Sequence, residues 1–337
     1  MENIVMETPA SYKTENRNDY LGGSDTASIL SLSPWQSAFM LYQKKIGAFQ
    51  EEITPAKQKI FDRGHRWEEI VVEMLVDELE EQGHDVKILA RNQRYTDPDY
   101  PFLRAEIDVE LLIDGEEVNG EAKTVSPFAA KAWGEAGTDE IPIYYACQVM
   151  HGLMIKPRRR AVVAALTGFD DKPRIHWVDR DDDTIAIIRA KELAFWERIQ
   201  TRNPPEPETL EDVSFLFKRD LGTVLEADDN ILNLCQDIKR LKTDAKTLDS
   251  LISELTINLK KQIGDAATVQ YAGYTICSWK NNKDSTKANL DKALADFMAW
   301  THSFKDNPQM RGIEETLSQC ITENTKTVPG IRPLLIK

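Results

Sequence analysis

The stretch Asn203-Pro204-Pro205-Glu206-Pro207-Glu208 constrains this chain more than any other feature. Proline lacks a backbone N–H and its ring clashes with the preceding helical turn, so no helix can run through three of them. The hydrophobic pattern changes across this break, and the two sides must fold by different rules.

Ahead of the break, helical and strand-like periods alternate. Ile70, Val71, Met74, Leu75 and Leu79 recur at helical spacing and predict a helix over Phe61 to Glu81. Asp85 to Ala90 reads as a strand. Phe102 to Ile113 alternates in strand fashion up to a turn at Asp114-Gly115, with Glu117 to Thr124 as its hairpin partner. Ile143 to Ile155 is apolar and helical, Ala161 to Leu166 and Arg174 to Val178 are short strands, and Thr184 to Ile199 is an amphipathic helix. This alternation predicts one α/β domain over residues 1–202.

Residues 203–209 are read as a linker and residues 210–337 as a helical accessory region. There, Ile231, Leu234, Ile238, Leu241, Ala245, Leu248, Ile252, Leu255 and Leu259 follow steps of three and four without a slip. That is the seam of a coiled coil, or of a helix packed along one narrow groove. Thr268 to Trp279 predicts a hairpin turning near Ala272-Gly273, Lys287 to Thr301 a second helix, and Thr325 to Lys337 an extended tail.

Composition narrows the function classes. Of 337 residues, 41% are hydrophobic and 29% charged, which supports a sizeable core. No run approaches the roughly 18 apolar residues of a membrane span. Met1 to Tyr20 is polar and does not read as a secretory signal. The four cysteines are scattered and form no C-x-x-C pair, which argues against a zinc ribbon or an iron–sulfur centre and fits a reducing cytoplasm. A formal charge of −14 excludes a non-specific nucleic-acid coat, though not an enzyme that holds DNA in a local basic channel and gathers carboxylates around metals.

Two constellations carry chemistry. Asp108 precedes Glu121-Ala122-Lys123 on the next predicted strand, and Glu121 and Lys123, two apart, project to one face. Two carboxylates beside a lysine suit metal-assisted phosphodiester hydrolysis: the acids offer oxygen ligands to a hard cation such as Mg²⁺, and the lysine orients water or neutralises developing charge. A glutamate from Glu68-Glu69 on the preceding helix is placed to complete such a site. Separately, Arg17 lies seven residues before Ser24, and Gly22-Gly23 lead into a helix capped by Ser24 or Asp25, a combination suited to phosphate.

In this order, Arg17…Gly22-Gly23-Ser24-Asp25, Ser33-Pro34-Trp35, Gly64…Glu68, Asp108, Glu121-Ala122-Lys123 and Tyr145…Gln148-Val149 resemble the YqaJ-type viral recombinase nucleases. These are relatives of phage lambda exonuclease in the PD-(D/E)xK superfamily. The resemblance covers Arg17 to Arg202 and implies a restriction-endonuclease-like mixed central sheet flanked by helices. It further implies that Asp108, Glu121, the Ala122 carbonyl and Glu68 bind two Mg²⁺ ions, or Mn²⁺, and that Lys123 is the catalytic lysine. Arg17 and Ser24 match the pair that holds the 5′-phosphate of a DNA end. Gln148 falls in a Q-x-Q helix motif whose second position here is Met150, a departure from the pattern.

The activity implied is 5′-to-3′ degradation of one strand of linear double-stranded DNA, leaving 3′ single strands for recombination. A homo-oligomer, often a ring, and a single-strand annealing partner are implied with it. The alternatives are a non-catalytic DNA-end or protein-interaction scaffold, and an endonuclease of the same superfamily. The cluster Lys156-Pro157-Arg158-Arg159-Arg160 is a second candidate for phosphate, and Trp35, Trp67 and Trp133 for base stacking.

Overall fold

The structure is a computed structural model and describes residues 5–7, 16–50, 54–168, 170–280 and 290–302, with isolated positions between 307 and 319. The chain divides into two units, Met1–Phe217 and Lys218–Lys337.

The first unit is a mixed sheet between helices. Its strands are β1 (Val5–Glu7), β2 (Leu21–Gly22), β3 (Val86–Thr96), β4 (Leu103–Ile113), β5 (Glu116–Val125), β6 (Arg160–Thr167) and β7 (Arg174–Asp179). They lie in the order β1-β3-β4-β5-β6-β7, with β2 beside β4; the β2/β4 and β5/β6 pairs are parallel and the rest antiparallel. The helices are α1 (Gly23–Ile29), α2 (Ala38–Lys45), α3 (Pro55–Glu81), α4 (Ile143–Ile155), α5 (Asp182–Thr201) and α6 (Leu210–Leu216).

Two apolar clusters flank the sheet. Val71, Val72, Leu75 and Leu79 of α3 pack on Val109, Leu111, Val118 and Val162. Ile29, Leu41, Leu153, Ile188 and Phe195 from the other helices pack on Leu103, Ile107 and Val163. The continuous apolar run of β6 follows from this, because a strand covered on both faces has no polar side to alternate with.

Several expected elements are longer than their hydrophobic periods. Helix α3 starts at Pro55, with the Thr54 hydroxyl accepting from Lys57 N–H, and its first two turns bury nothing. Strand β3 continues through Thr96, where Arg94 pairs with Glu106 and the Tyr20 hydroxyl. The turn expected at Asp114-Gly115 is present, with both residues at positive φ (50° and 83°), as a tight hairpin of right-handed twist requires.

The boundary falls beyond the linker expected at residues 203–209. Thr201 ends α5 and the prolines follow, but α6 returns to the first unit. Asp212 there is fully buried; it accepts from the Ser37 hydroxyl at 2.6 Å and from Glu208 and Thr209 N–H, while Phe215 packs edge-on against Phe39 and Phe49. Proline breaks a helix without breaking a domain, and these side chains help to hold α6 against the first unit.

The second unit contains α7 (Asp229–Ile263), the hairpin β8 (Thr268–Tyr271) and β9 (Tyr274–Ser278), and α8 (Leu290–His302). The hairpin turns at Ala272-Gly273 as expected. The expected tail from Thr325 lies outside the described residues, as do the first three residues of the expected Lys287 helix. No helix among the described residues is long and apolar enough to cross a membrane.

Candidate active site

The site begins where β4 and β5 part. Their pairing runs from Ile113↔Glu116 to Val109↔Gly120 and stops there. One further step of that register sets Asp108 across from Glu121. Gly120 permits this close approach: a Cβ there would lie 2.4 Å from Val109 Cγ1. The Ala122 N–H, left without a ladder partner, donates instead to Asp108 Oδ2 at 2.9 Å. Where the strands part, Asp108 and Glu121 turn into the space between the elements, half-buried and buried respectively.

A cavity of about 500 Å³ opens at this split, and all eight sequence-predicted residues line it: Arg17, Ser24, Glu68, Asp108, Glu121, Ala122, Lys123 and Gln148. Glu121 accepts from Lys123 Nζ and from Gln148 Nε2. The Lys123 ammonium lies 5.1 Å from the Tyr145 ring centre. Glu68 of α3 lines the cavity, while Glu69 is exposed and outside its lining. Met150, in place of the second glutamine, packs against the core. Two residues along a helix are about 200° apart, so this departure falls on the face opposite Gln148.

Electrostatics bind the group together. Burial, reinforced by Glu121 and Glu68, pushes the Asp108 carboxyl well above the ordinary carboxylate range. Burial also raises Glu68, with Glu121 adding to it. Burial works against the charge on Lys123, but Glu121 and Asp108 outweigh it and hold the lysine above its usual value. Among the described residues no three His, Cys, Asp or Glu side chains are drawn together at ligating distance. The donor set still fits a hard divalent cation. Asp108, Glu121 and Glu68 line the cavity together with Ala122 and Lys123, and an oxygen-rich donor set of this kind suits a hard cation.

At the other side of the cavity, Arg17 Nη2 donates to Ser24 Oγ at 3.0 Å and pairs with Asp25 Oδ2 at 2.7 Å. The cap of α1 differs from expectation. It falls on Gly22, whose N–H donates to Asp25 Oδ2, so Ser24 is inside the first turn with an exposed side chain. Asp25 also pairs with Lys45 at 2.9 Å, a residue that the sequence reading missed because nothing local marks it. Burial pushes Lys45 down to about 8 against the pull of Asp25. Burial likewise opposes ionisation of Asp25, yet Arg17 and Lys45 keep its carboxyl below the usual range.

A second unforeseen element is a buried chain behind the cavity. His151, one turn beyond Gln148, bonds Glu192 through Nδ1 and the Arg104 carbonyl through Nε2, both at 2.8 Å, and Thr26 Oγ1 donates to Glu192 at 2.7 Å. This chain ties α1, α4 and β4, which line the cavity, to α5, which does not. Lys156, Arg158, Arg159 and Arg160 lie outside the cavity lining and are paired with Glu110, Glu116 and Glu117. Of the tryptophans, Trp133 is buried against Tyr145 and His176, whereas Trp35 is 68% exposed and Trp67 is exposed at its edge.

Several known proteins are similar to this chain. Among solved structures, the alkaline exonuclease LHK-Exo from Laribacter hongkongensis aligns at 17% identity and a TM-score of 0.40 over 56% of this chain and 91% of its own. The same protein in complex with dAMP aligns with a TM-score of 0.39. The uncharacterized protein YqaJ of Bacillus subtilis (strain 168) is 27% identical over 289 residues, which span 82% of this chain and 86% of the relative. The model of the YqaJ-like viral recombinase domain matches residues 14–169, a segment that contains all of the cavity residues named from the sequence. Residues 14–169 of this chain are therefore similar to the YqaJ-like viral recombinase domain.

Proposed function

We propose that this chain is a Mg²⁺-dependent deoxyribonuclease that degrades one strand of linear duplex DNA from its 5′ end and leaves 3′ single strands for recombination. The observation that carries this reading is the single cavity lined by all eight residues, with a carboxylate cluster at one side and a cationic pocket at the other.

Asp108, Glu121, Glu68 and the Ala122 carbonyl would hold two Mg²⁺ ions, with Mn²⁺ as a substitute. When bound, such ions polarise a phosphodiester and lower the pKa of an attacking water. Lys123, kept protonated by its carboxylate neighbours, acts as a hydrogen-bond donor and positive charge beside the reacting phosphate and not as a base. Gln148 holds Glu121 in orientation. Arg17 and Ser24 would receive the terminal 5′-phosphate. Arg17, Lys45 and Asp25 together carry one net positive charge, which favours an anion. A ring-shaped homo-oligomer and a single-strand annealing partner are proposed on the family resemblance alone.

Digestion of linear and covalently closed circular duplex DNA with Mg²⁺ tests this reading. Linear DNA should be degraded and circles spared, and the Asp108→Ala, Glu121→Ala double variant should lose nearly all activity while remaining folded. Cleavage of circles would make the protein an endonuclease. Inertness toward both substrates would leave a scaffold.

A further inference from the structure

Helix α7 is 35 residues long and buries none of its side chains within the chain. The seam residues from Leu234 to Leu259 that are leucine, together with Ile252, are 47–69% exposed. The stripe follows heptad spacing, with the exposed Leu251 at its margin and Leu232 and Ile257 on other faces of the helix. The core-facing helix of a globular domain presents a broader apolar face, so this stripe fits another helix wound around it. Its a positions are Ile231, Ile238, Ala245, Ile252 and Leu259, and its d positions are the four leucines between them.

We propose that α7 pairs with α7 of a second copy of this chain as an antiparallel two-stranded coiled coil in which Ala245 faces the partner's Leu248. The small Ala245 and the flanking charges select this direction and register, against the pattern of Ile at a and Leu at d that by itself suits a parallel pair. Core layers in an antiparallel pair set a against d, so the small Ala245 meets the large leucine, Leu241 meets the partner's Ile252, and Ile238 meets the partner's Leu255. Flanking the seam, Lys242 lies beside the partner's Asp249, and the twofold axis repeats that ion pair. Asp244 and Asp237 fall beside the partner's Leu251 and the partner's Asn258, so no like charges meet.

The competing arrangements are worse. In a parallel, in-register pair, Ala245 stacks on the partner's Ala245 and leaves a gap at mid-seam. Asp244 then faces the partner's Asp249, which offsets the attraction of Asp237 for the partner's Lys242. An antiparallel pair shifted by one heptad toward the helix start sets Lys242 on the partner's Lys242 and Asp244 on the partner's Asp244. Only the proposed register unites opposite charges across an uninterrupted apolar core. This inference does not depend on the nuclease reading.

Cysteine cross-linking in the full-length protein tests it. Under mild oxidation, Leu241→Cys with Ile252→Cys should yield a covalent dimer, and peptide mapping should find position 241 joined to position 252 of the other chain. Leu241→Cys alone should give no link at that site, because the two copies of position 241 would stand about 16 Å apart along the axis at 1.5 Å per residue. A link between the two copies of position 241 would mean parallel pairing and would overturn the proposal. A monomeric mass of the wild-type protein by light scattering at tens of micromolar would also overturn it, and would mean that some other part of the chain covers the seam.

Discussion

The residues around the cavity divide its work between charge and position. Arg17 is the one guanidinium that touches Ser24, and its exposure leaves room for a ligand to share its donors. A charged hydrogen bond of this kind contributes about 1.5–3 kcal/mol, so Arg17→Ala should cut the rate preference for 5′-phosphorylated over 5′-hydroxyl linear DNA by roughly tenfold or more. Lys45 adds a pH dependence whose sign follows from its lowered pKa. Below about 8 the Arg17, Lys45 and Asp25 group carries one net positive charge, and above it Lys45 is neutral and the group carries none. The same preference should therefore weaken as pH rises through about 8. Competition between the two DNA ends across pH 6.5–9.5 checks both effects. A constant preference over that range would remove Lys45 from the pocket.

Among the elements, the β4–β5 hairpin decides where chemistry can occur. Its paired half ends at Gly120, and the missing side chain there is what lets Val109 sit close enough for Asp108 and Glu121 to face each other. Gly120→Ala forces a methyl group to within 2.4 Å of Val109 Cγ1 and 3.2 Å of its carbonyl oxygen. Overpacking of that kind costs about 1–3 kcal/mol, which urea unfolding monitored by circular dichroism would detect. An unchanged midpoint would show that the strands spread without cost. The hairpin was legible beforehand because alternation and the Asp-Gly turn are local signals. Its splayed end was not, because it depends on which residues oppose one another. The first turns of α3 and the far half of β3 escaped notice for a related reason. Hydrophobic periodicity registers buried positions, and these segments are held by a cap and by the Arg94–Glu106 pair.

At the scale of the whole molecule, the two units keep separate accounts of their apolar surface. The first closes its core around the sheet, and the second leaves the stripe of α7 exposed. Replacing Leu241 and Leu248 by Asp should lower the oligomeric mass while leaving metal-dependent digestion per chain within about twofold, since neither residue lines the cavity. Light scattering and an endpoint digestion on the same preparation would show this. Loss of digestion along with mass would tie assembly to the active site.

The sequence by itself determined the period of each element, the hairpin turns and the order of the chemical groups along the chain. Asp108, Glu121 and Lys123 were singled out by residue type and spacing, and Glu68 by the resemblance that ordered these groups. Only the tertiary structure decided that α6 belongs to the first unit, that Lys45 shares Asp25 with Arg17, and that His151 and Glu192 tie elements lining the cavity to α5. These outcomes have one physical cause. Periodicity and turn chemistry act between neighbours a few residues apart, whereas contacts such as Lys45 with Asp25 and His151 with Glu192 join groups that meet only after the sheet has brought distant segments to one place.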